Sequence, residues 1–486
     1  MKLLSVASEC APFVKTGGLA DVVGALPGAL APHGVQTRVM LPRYPALAGV
    51  AEGASQVMHY DDLFGGPARL LSVRASGIDL LLLEATHLFD RPGSIYLSPQ
   101  GGDWPDNVRR FGALCRVAAD AALGGVAGWV PDVVHAHDWQ AGLVPAYLKQ
   151  SGAPTPPCMI TVHNIAFQGL FDAHNIGVLG LSGDFFTPDG LEYFGHLGFL
   201  KGGIAFADKV TTVSPTYARE LTTPEFGMGL EGLIAARGGD VTGILNGIDT
   251  EIWNPAADAD LPQRYTTESL AGKAASRAAV QQRFGLDQTA DGPLYCVISR
   301  LTTQKGLDLL IQALPALVGD GAQLALLGSG DKGMEADFIA AAHRYAGRVG
   351  VIIGYDEALS HLLQGGADAI LVPSRFEPCG LTQLYGLRYG TVPVVARSGG
   401  LADTVIDANP AALAMGCATG VQFSPVTRTA LEQAIRRTGD LFRDAAEWQT
   451  LVRNGMRQPV GWEQSSLAYL ALFGDMLAAK RDGTAA

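Results

Sequence analysis

Short apolar runs of strand length recur along the chain, each ending in a polar or glycine-rich turn and many leading into a segment with helical spacing of its apolar positions. βα units around a parallel sheet produce this alternation, because a strand covered on both faces has no polar side to present. In the first half the pattern predicts strands over 2–7, 35–41, 78–84, 132–136, 158–162, 209–213 and 241–245. The clearest helix is predicted over 19–30, where Leu19, Val22, Val23, Leu26 and Leu30 share one face and Pro32 and Gly34 close the element. Over 249–292 the pattern weakens into a Pro/Ala/Asp-rich stretch and then a helix. It resumes with predicted strands over 294–299, 322–327, 349–353, 368–373 and 392–396.

The domain change is placed near 246–253. Residues 1–245 form one expected α/β domain, 246–460 a second, and 461–486 an amphipathic helix expected to pack back on the first. Two parallel sheets facing across a deep cleft would bring the loops at their carboxyl ends to one ligand site.

Composition narrows the function classes. A chain of 486 residues exceeds what one core usually organises. With 48% hydrophobic residues, only 17% charged residues and 61 glycines, it reads as globular, with buried sheets joined by tight turns. The net charge of −12 and the lack of any basic run argue against nucleic acid or an acidic membrane as partner, so an anionic substrate needs a local cationic pocket. Cys10, Cys115, Cys158, Cys296, Cys379 and Cys417 form no Cys-x-x-Cys pair, which speaks against a disulfide framework or structural zinc and fits a reducing cytoplasm. The amino-terminal residues read as a first strand rather than an export signal. The aliphatic run 78–83 is broken by Asp79 and followed by Glu84, so nothing is expected to span a bilayer.

Three places could stabilise the negative charge of a departing phosphate, which calls for fixed donors and cations. They are Lys15 with the Gly17-Gly18 turn, the loop 299–306 with Arg300 and Lys305, and the turn 373–383 with Glu377, Gly380 and Thr382. The segment 15–23 is echoed at 397–405, so both copies read as helix starts able to hold an anion. His135, His137, Asp138 and Trp139 end one predicted strand, and His163 and Asn164 end another. Their imidazoles, carboxylate and carboxamide are expected at the cleft mouth, touching sugar hydroxyls. A metal there lacks a third ligand in the sequence, and none is expected. Asp258 and Asp260 read as a solvated polar loop, 328–331 as a fragment of a nucleotide-binding turn, and Cys379 as a thiol without an evident base partner.

Taken together, the segments 15–22, 135–139, 161–169, 225–232, 245–249, 299–306 and 374–383 resemble the bacterial glycogen synthase and plant starch synthase family nearly end to end. The resemblance implies the GT-B fold, two Rossmann-like domains with parallel sheets facing across a cleft, and no metal or other cofactor. It implies transfer of glucose from ADP-glucose to the non-reducing 4-hydroxyl of an α-1,4-glucan with retention of configuration, in glycogen biosynthesis. By position, Lys15, Arg300 and Lys305 would hold the diphosphate with Gly18, Cys379, Gly380, Leu381 and Thr382, while Asp21 and Asn246 line the donor site. Gly354 and Tyr355 would meet the adenine end, and Glu377 and His163 the transferred glucose. Tyr96, Asp138, Trp139 and Asn164 would face the acceptor. Tyr385 stands where wider relatives carry a second Glu, which favours this branch over sucrose or trehalose enzymes.

Overall fold

The computed structural model describes residues 1–483. They divide into two compact units: Met1–Asn246 joined by the chain from Trp462 onward, and Gly247–Gly461.

The first unit contains β1 (Lys2–Val6), β2 (Gln36–Pro42), β3 (Ser55–Tyr60), β4 (Ala68–Ala75), β5 (Ile78–Glu84), β6 (Val133–His137), β7 (Cys158–Val162), β8 (Leu170–Asp172), β9 (Glu192–Tyr193), β10 (His196–Gly198), β11 (Lys209–Thr212) and β12 (Val241–Gly243). Nine of them form one sheet in the order β12-β11-β7-β6-β1-β2-β5-β4-β3. Strands β12 through β5 of that order run parallel, and β3 and β4 add an antiparallel edge. The predicted strands lie within a residue or two of the observed ones. The edge hairpin and the small sheet β8-β10-β9 are additions that the pattern did not signal, because their strands are short or solvent-facing.

The helix Gly18–Leu30 buries its predicted face, and the carboxyl-terminal helix Glu463–Arg481 packs beside it. Leu3, Val22, Leu26, Val133 and Met159 meet Tyr469, Phe473 and Met476 in one core. Full burial of each large side chain from the last helix contributes about 1.5–3 kcal/mol.

The second unit holds β13 (Leu294–Ile298), β14 (Gln323–Gly328), β15 (Val349–Ile353), β16 (Ala369–Val372), β17 (Val392–Ala396) and β18 (Val421–Phe423). All are parallel, in the order β15-β14-β13-β16-β17-β18, with apolar cores on both faces. Strand order reverses between β13 and β16, as it does between β1 and β6 in the first unit. Chains leaving the carboxyl ends of strands at such a reversal go to opposite faces and leave a crevice there. Lys15 lies on the chain leaving β1 and Asp138 on that leaving β6. Arg300 and Lys305 follow β13, and Glu377 follows β16.

Candidate active site

In the second unit, the chain beyond β13 turns through Ser299 and Arg300 into the 3-10 turn Thr303–Lys305, then through Gly306 into the helix Leu307–Gly319. The chain beyond β16 runs through Ser374 to Leu381 and opens the helix Thr382–Tyr389. The two loops are stitched together. Arg375 N donates to Gln304 O at 2.8 Å, and Gln304 Nε2 to Phe376 O at 3.3 Å. The Arg375 guanidinium forks onto Asp308 at 2.6 and 2.7 Å. Gly306 has φ +68°, and a Cβ there would stand 1.9 Å from Pro373 O, so both backbone conformation and space require glycine.

This stitching sets Lys305 Nζ 2.5 Å from Glu377 Oε2, which also accepts from Ser374 Oγ at 2.9 Å. Glu377 is buried and Lys305 mostly so, hence each charge depends on the other for compensation in a low-dielectric setting. Arg300 is exposed on the same loop. Gln383 Nε2 donates to Cys379 O at 3.0 Å and Gly380 O at 2.8 Å, fixing the turn that carries Cys379, Gly380, Leu381 and Thr382.

The echoed segment at 397–405 packs against the Glu377 loop. Gly400 N donates to Glu377 O at 3.0 Å, and a Cβ on Gly399 or Gly400 would lie 2.0 or 2.1 Å from the carbonyl of Glu377 or Cys379. The second glycine pair therefore seats the Glu377 loop. Gly328 and Gly330 behave alike, since added Cβ atoms would stand 2.1 and 2.4 Å from Ser299 O and Leu301 O. Gly354, at φ +137°, donates its N–H to Gly328 O at 3.1 Å, which places exposed Tyr355 next to that turn.

In the first unit, Lys15 Nζ pairs with Asp21 at 2.9 Å across the start of the helix that Gly18 opens. Glu9, absent from the sequence-based site, organises this turn. It is buried, and accepts from Thr16 N at 2.5 Å, Thr16 Oγ1 at 2.6 Å and Gly17 N at 3.2 Å, and also from Tyr96 OH. Two amides of the expected anion turn thus point inward to Glu9, and Lys15 and Gly18 remain its ligand-facing candidates. Tyr96 OH also bonds Ser8 Oγ at 2.7 Å. Burial, reinforced by the Glu9 charge, holds the Tyr96 phenol well above its usual range, so it stays a donor. An acidic residue just past a buried first strand is the one signal by which Glu9 could have been found.

Asp138 follows β6 at φ +54°, a conformation unfavourable for a residue with a Cβ. Its carboxylate accepts from His163 N at 2.7 Å and Asn164 N at 3.4 Å, tying the end of β6 to the end of β7. Burial pushes its pKa up to about 7 despite those amides. His163 Nε2 bonds His137 Nδ1 at 3.0 Å, and His137 Nε2 bonds Ser5 Oγ at 3.1 Å. Burial lowers the His163 pKa to about 3, so it presents a neutral imidazole.

Two expectations need correction. His135 and His137 are fully buried within the sheet layer instead of lying at a mouth, because strand alternation and the last helix enclose them; His135 bonds Thr161 Oγ1 at 2.6 Å. Trp139, expected to face an acceptor, is 8% exposed, as buried as Asp138 and Glu377, with Phe111, Phe171 and Phe199 around it and Gly169 packed against its ring. Asp258 is buried rather than solvated, bonded to His361 Nδ1 at 2.7 Å and to Tyr389 OH. Asp258, Asp260 and His361 are near enough to suggest a cation group, but Asp258 Oδ2 is already shared by His361 and Tyr389. Tyr385 stacks on Trp253 with centroids 3.7 Å apart, so it fills a core position. Asn246 ends the first unit with a buried Oδ1 that has no hydrogen-bond partner, as a ligand-contacting carboxamide would.

Residues 2–236 match the family model of the starch synthase catalytic domain, and residues 281–440 match glycosyl transferases group 1. The glycogen synthase of Roseobacter denitrificans is 66% identical over 98% of this chain and 100% of its own length. That of Paracoccus denitrificans is 58% identical over the same shares. The catalytic domain of starch synthase IV from Arabidopsis thaliana, solved with ADP and acarbose bound, has a TM-score of 0.88 at 32% identity, covering 98% of this chain and 99% of that one. Sucrose-phosphate synthase from Thermosynechococcus elongatus, at 19% identity, a TM-score of 0.61 and coverage of 98% and 99%, shares the fold alone. With the parallel sheets, the two strand-order reversals and the motif positions already described, these likenesses make the chain a member of the bacterial glycogen synthase and starch synthase family of GT-B glycosyltransferases.

Proposed function

We propose that the protein transfers glucose from ADP-glucose to the 4-hydroxyl at the non-reducing end of an α-1,4-glucan, with retention of configuration. The observation that carries this reading is the Lys305–Glu377 pair, held at the strand-order reversal with Arg300 on the adjoining turn. Lys15, Arg300 and Lys305 are assigned to the diphosphate, where charge develops as the C1–O bond breaks. Preorganised cations stabilise that charge without having to reorganise. Gly18 and the turn 379–382 are assigned to the same phosphates, Asp21 and Asn246 to the rest of the donor, and Gly354 and Tyr355 to adenine. The assignment uses side chains and amides, with neither metal nor cofactor.

Glu377 and His163 are assigned to the transferred glucose. Neutral His163 offers a hydrogen bond without adding a cation beside a developing oxocarbenium centre. Tyr96, Asp138, Trp139 and Asn164 are assigned to the acceptor side. In the proposed step the acceptor oxygen attacks C1 from the face the diphosphate leaves, a new C1–O4 bond replaces the old one, and the departing phosphate takes the hydroxyl proton. The front-face route gives Glu377 a binding rather than a nucleophilic role at the glucose, and trapping of a glucosyl-enzyme adduct distinguishes the two.

The test supplies purified protein with glycogen and either ADP- or UDP-glucose, and measures nucleoside diphosphate release, chain extension and the configuration of the new linkage. No release from either donor overturns the reading. A stable glucosyl-enzyme adduct overturns the front-face step. The reading places the protein in the cytoplasm; among the described residues no helix is long and apolar enough to cross a membrane.

A further inference from the structure

The side chains of Ser5, His137 and His163 form a diagonal row across the sheet of the first unit. Strands β1, β6 and β7 are neighbours, with Ser5 in register with His135 and His137 in register with Thr161. Residues two apart on a strand share a face. His137 therefore stands one step beyond Ser5 toward the carboxyl ends, and His163, the first residue past β7, one step beyond His137. Ser5 Oγ and His137 Nε2 are 3.1 Å apart, and His137 Nδ1 and His163 Nε2 are 3.0 Å apart. Ser5 and His137 are buried, whereas His163 is partly exposed.

The sense of the row follows from its donors and acceptors. Among the described residues Ser5 Oγ has no hydrogen-bond partner except His137 Nε2. A buried hydroxyl hydrogen without an acceptor is costly, so Ser5 donates and His137 Nε2 accepts. Burial, reinforced by the neighbouring imidazoles, holds His137 far below the usual range, and burial lowers His163 to about 3, so each ring is neutral and carries one proton. With Nε2 accepting, the His137 proton is on Nδ1 and is donated to His163 Nε2. The His163 proton is then left on Nδ1, which has no hydrogen-bond partner among the described residues. The opposite sense would strand the Ser5 hydrogen against a protonated His137 Nε2 and turn His163 Nδ1 into a bare acceptor.

We infer that Ser5 and His137 are positioning residues that hold His163 in the tautomer protonated on Nδ1, which makes His163 a hydrogen-bond donor to a hydroxyl oxygen of the transferred sugar. The inference rests on the proposed function for the identity of that sugar. Which ring nitrogen of a histidine carries the proton is set by the bond that the other nitrogen makes, and here that bond leads back to one buried serine. The polarity has a use. A carboxylate such as Glu377, assigned to the same glucose, can only accept from a hydroxyl, whereas His163 in this tautomer engages a hydroxyl lone pair.

Full-length protein carrying isotopically labelled histidine tests it, since long-range proton–nitrogen correlation spectra separate a protonated ring nitrogen from a bare one, and His163→Gln identifies the His163 signals. Wild type should show His137 and His163 protonated on Nδ1. Ser5→Ala removes the donor that fixes the sense, so a second population protonated on Nε2 should appear at His163. With it, kcat/KM for ADP-glucose should fall roughly two- to tenfold, the contribution of one neutral hydrogen bond. Ser5→Thr keeps the hydroxyl and should restore both the single tautomer and the rate. A wild-type His163 protonated on Nε2 overturns the inference without recourse to any variant. So does an unchanged His163 tautomer in Ser5→Ala, whatever its rate, and a shifted tautomer with unchanged kcat/KM overturns the role of Nδ1 toward the sugar. If wild type holds the Nδ1 tautomer but releases no ADP, the proposed activity fails and the positioning by Ser5 and His137 stands.

Discussion

Replacing Gly306 with alanine probes how tightly the Lys305–Glu377 pair depends on backbone packing. The new Cβ would sit 1.9 Å from Pro373 O, whereas real Cβ contacts stay beyond 3.0 Å, so the chains leaving β13 and β16 must separate by about 1 Å. Alanine at φ +68° adds the left-handed penalty, roughly 1–2 kcal/mol. For a domain of the second unit's size this lowers the midpoint of thermal unfolding by about 2–8 °C. Catalysis should suffer more than stability, because a misplacement of about 1 Å at a reacting centre costs on the order of a hundredfold in rate. Lys305 and Glu377 move with the separating loops, so the loss should fall on kcat at saturating glycogen and ADP-glucose. Steady-state ADP release and calorimetry check the two quantities on one preparation. A kcat within threefold of wild type, alongside the lowered midpoint, would refute the idea that this contact sets the spacing of the catalytic pair.

Lys305→Ala should lower kcat about a hundredfold or more, as for other preorganised charge-stabilising groups, and a near-normal rate in the same ADP-release assay would remove it from the diphosphate. Glu377→Gln keeps shape but leaves the Lys305 ammonium without its charged partner; kcat should fall and the unfolding midpoint should drop with it, and an unchanged kcat would leave Glu377 a purely structural partner of Lys305. Burial lowers His135 to a pKa of about 3, against about 6.5 unfolded, so as pH falls the unfolded chain takes up this proton first. Stability should therefore decline from about pH 6.5 toward pH 3 by roughly 1.4 kcal/mol per pH unit for this site, and His135→Asn should flatten the urea-unfolding profile by that slope. A variant profile parallel to wild type would contradict the assignment.

Most of the parallel strands were legible because a strand buried on both faces writes its own apolar run, as in 158–162 and 392–396. The carboxyl-end loops were legible for a related reason: cations such as Arg300 and Lys305 directly after a buried strand have few structural uses. What escaped reading depends on partners distant in sequence. Asp258 looks like a solvated loop carboxylate until His361 and Tyr389 close over it, and His135 looks accessible until Tyr469 and Phe473 cover it. Glu9 was missed because its donors, Thr16, Gly17 and Tyr96, converge only once the loop after β1 has turned back. The packing role of Gly399 and Gly400 was not visible because a helix start is a local pattern, while the carbonyls they accommodate belong to another loop.

The route of the chain bears on its synthesis. Tyr469, Phe473 and Met476 complete the packing on Leu3, Val22 and Leu26, residues made more than four hundred positions earlier. On the ribosome, the first sheet must wait with that apolar surface uncovered until the whole Gly247–Gly461 unit has emerged. Nascent chains stalled before residue 462 should accordingly bind chaperones for exposed apolar surface, and release them once the last helix leaves the exit tunnel.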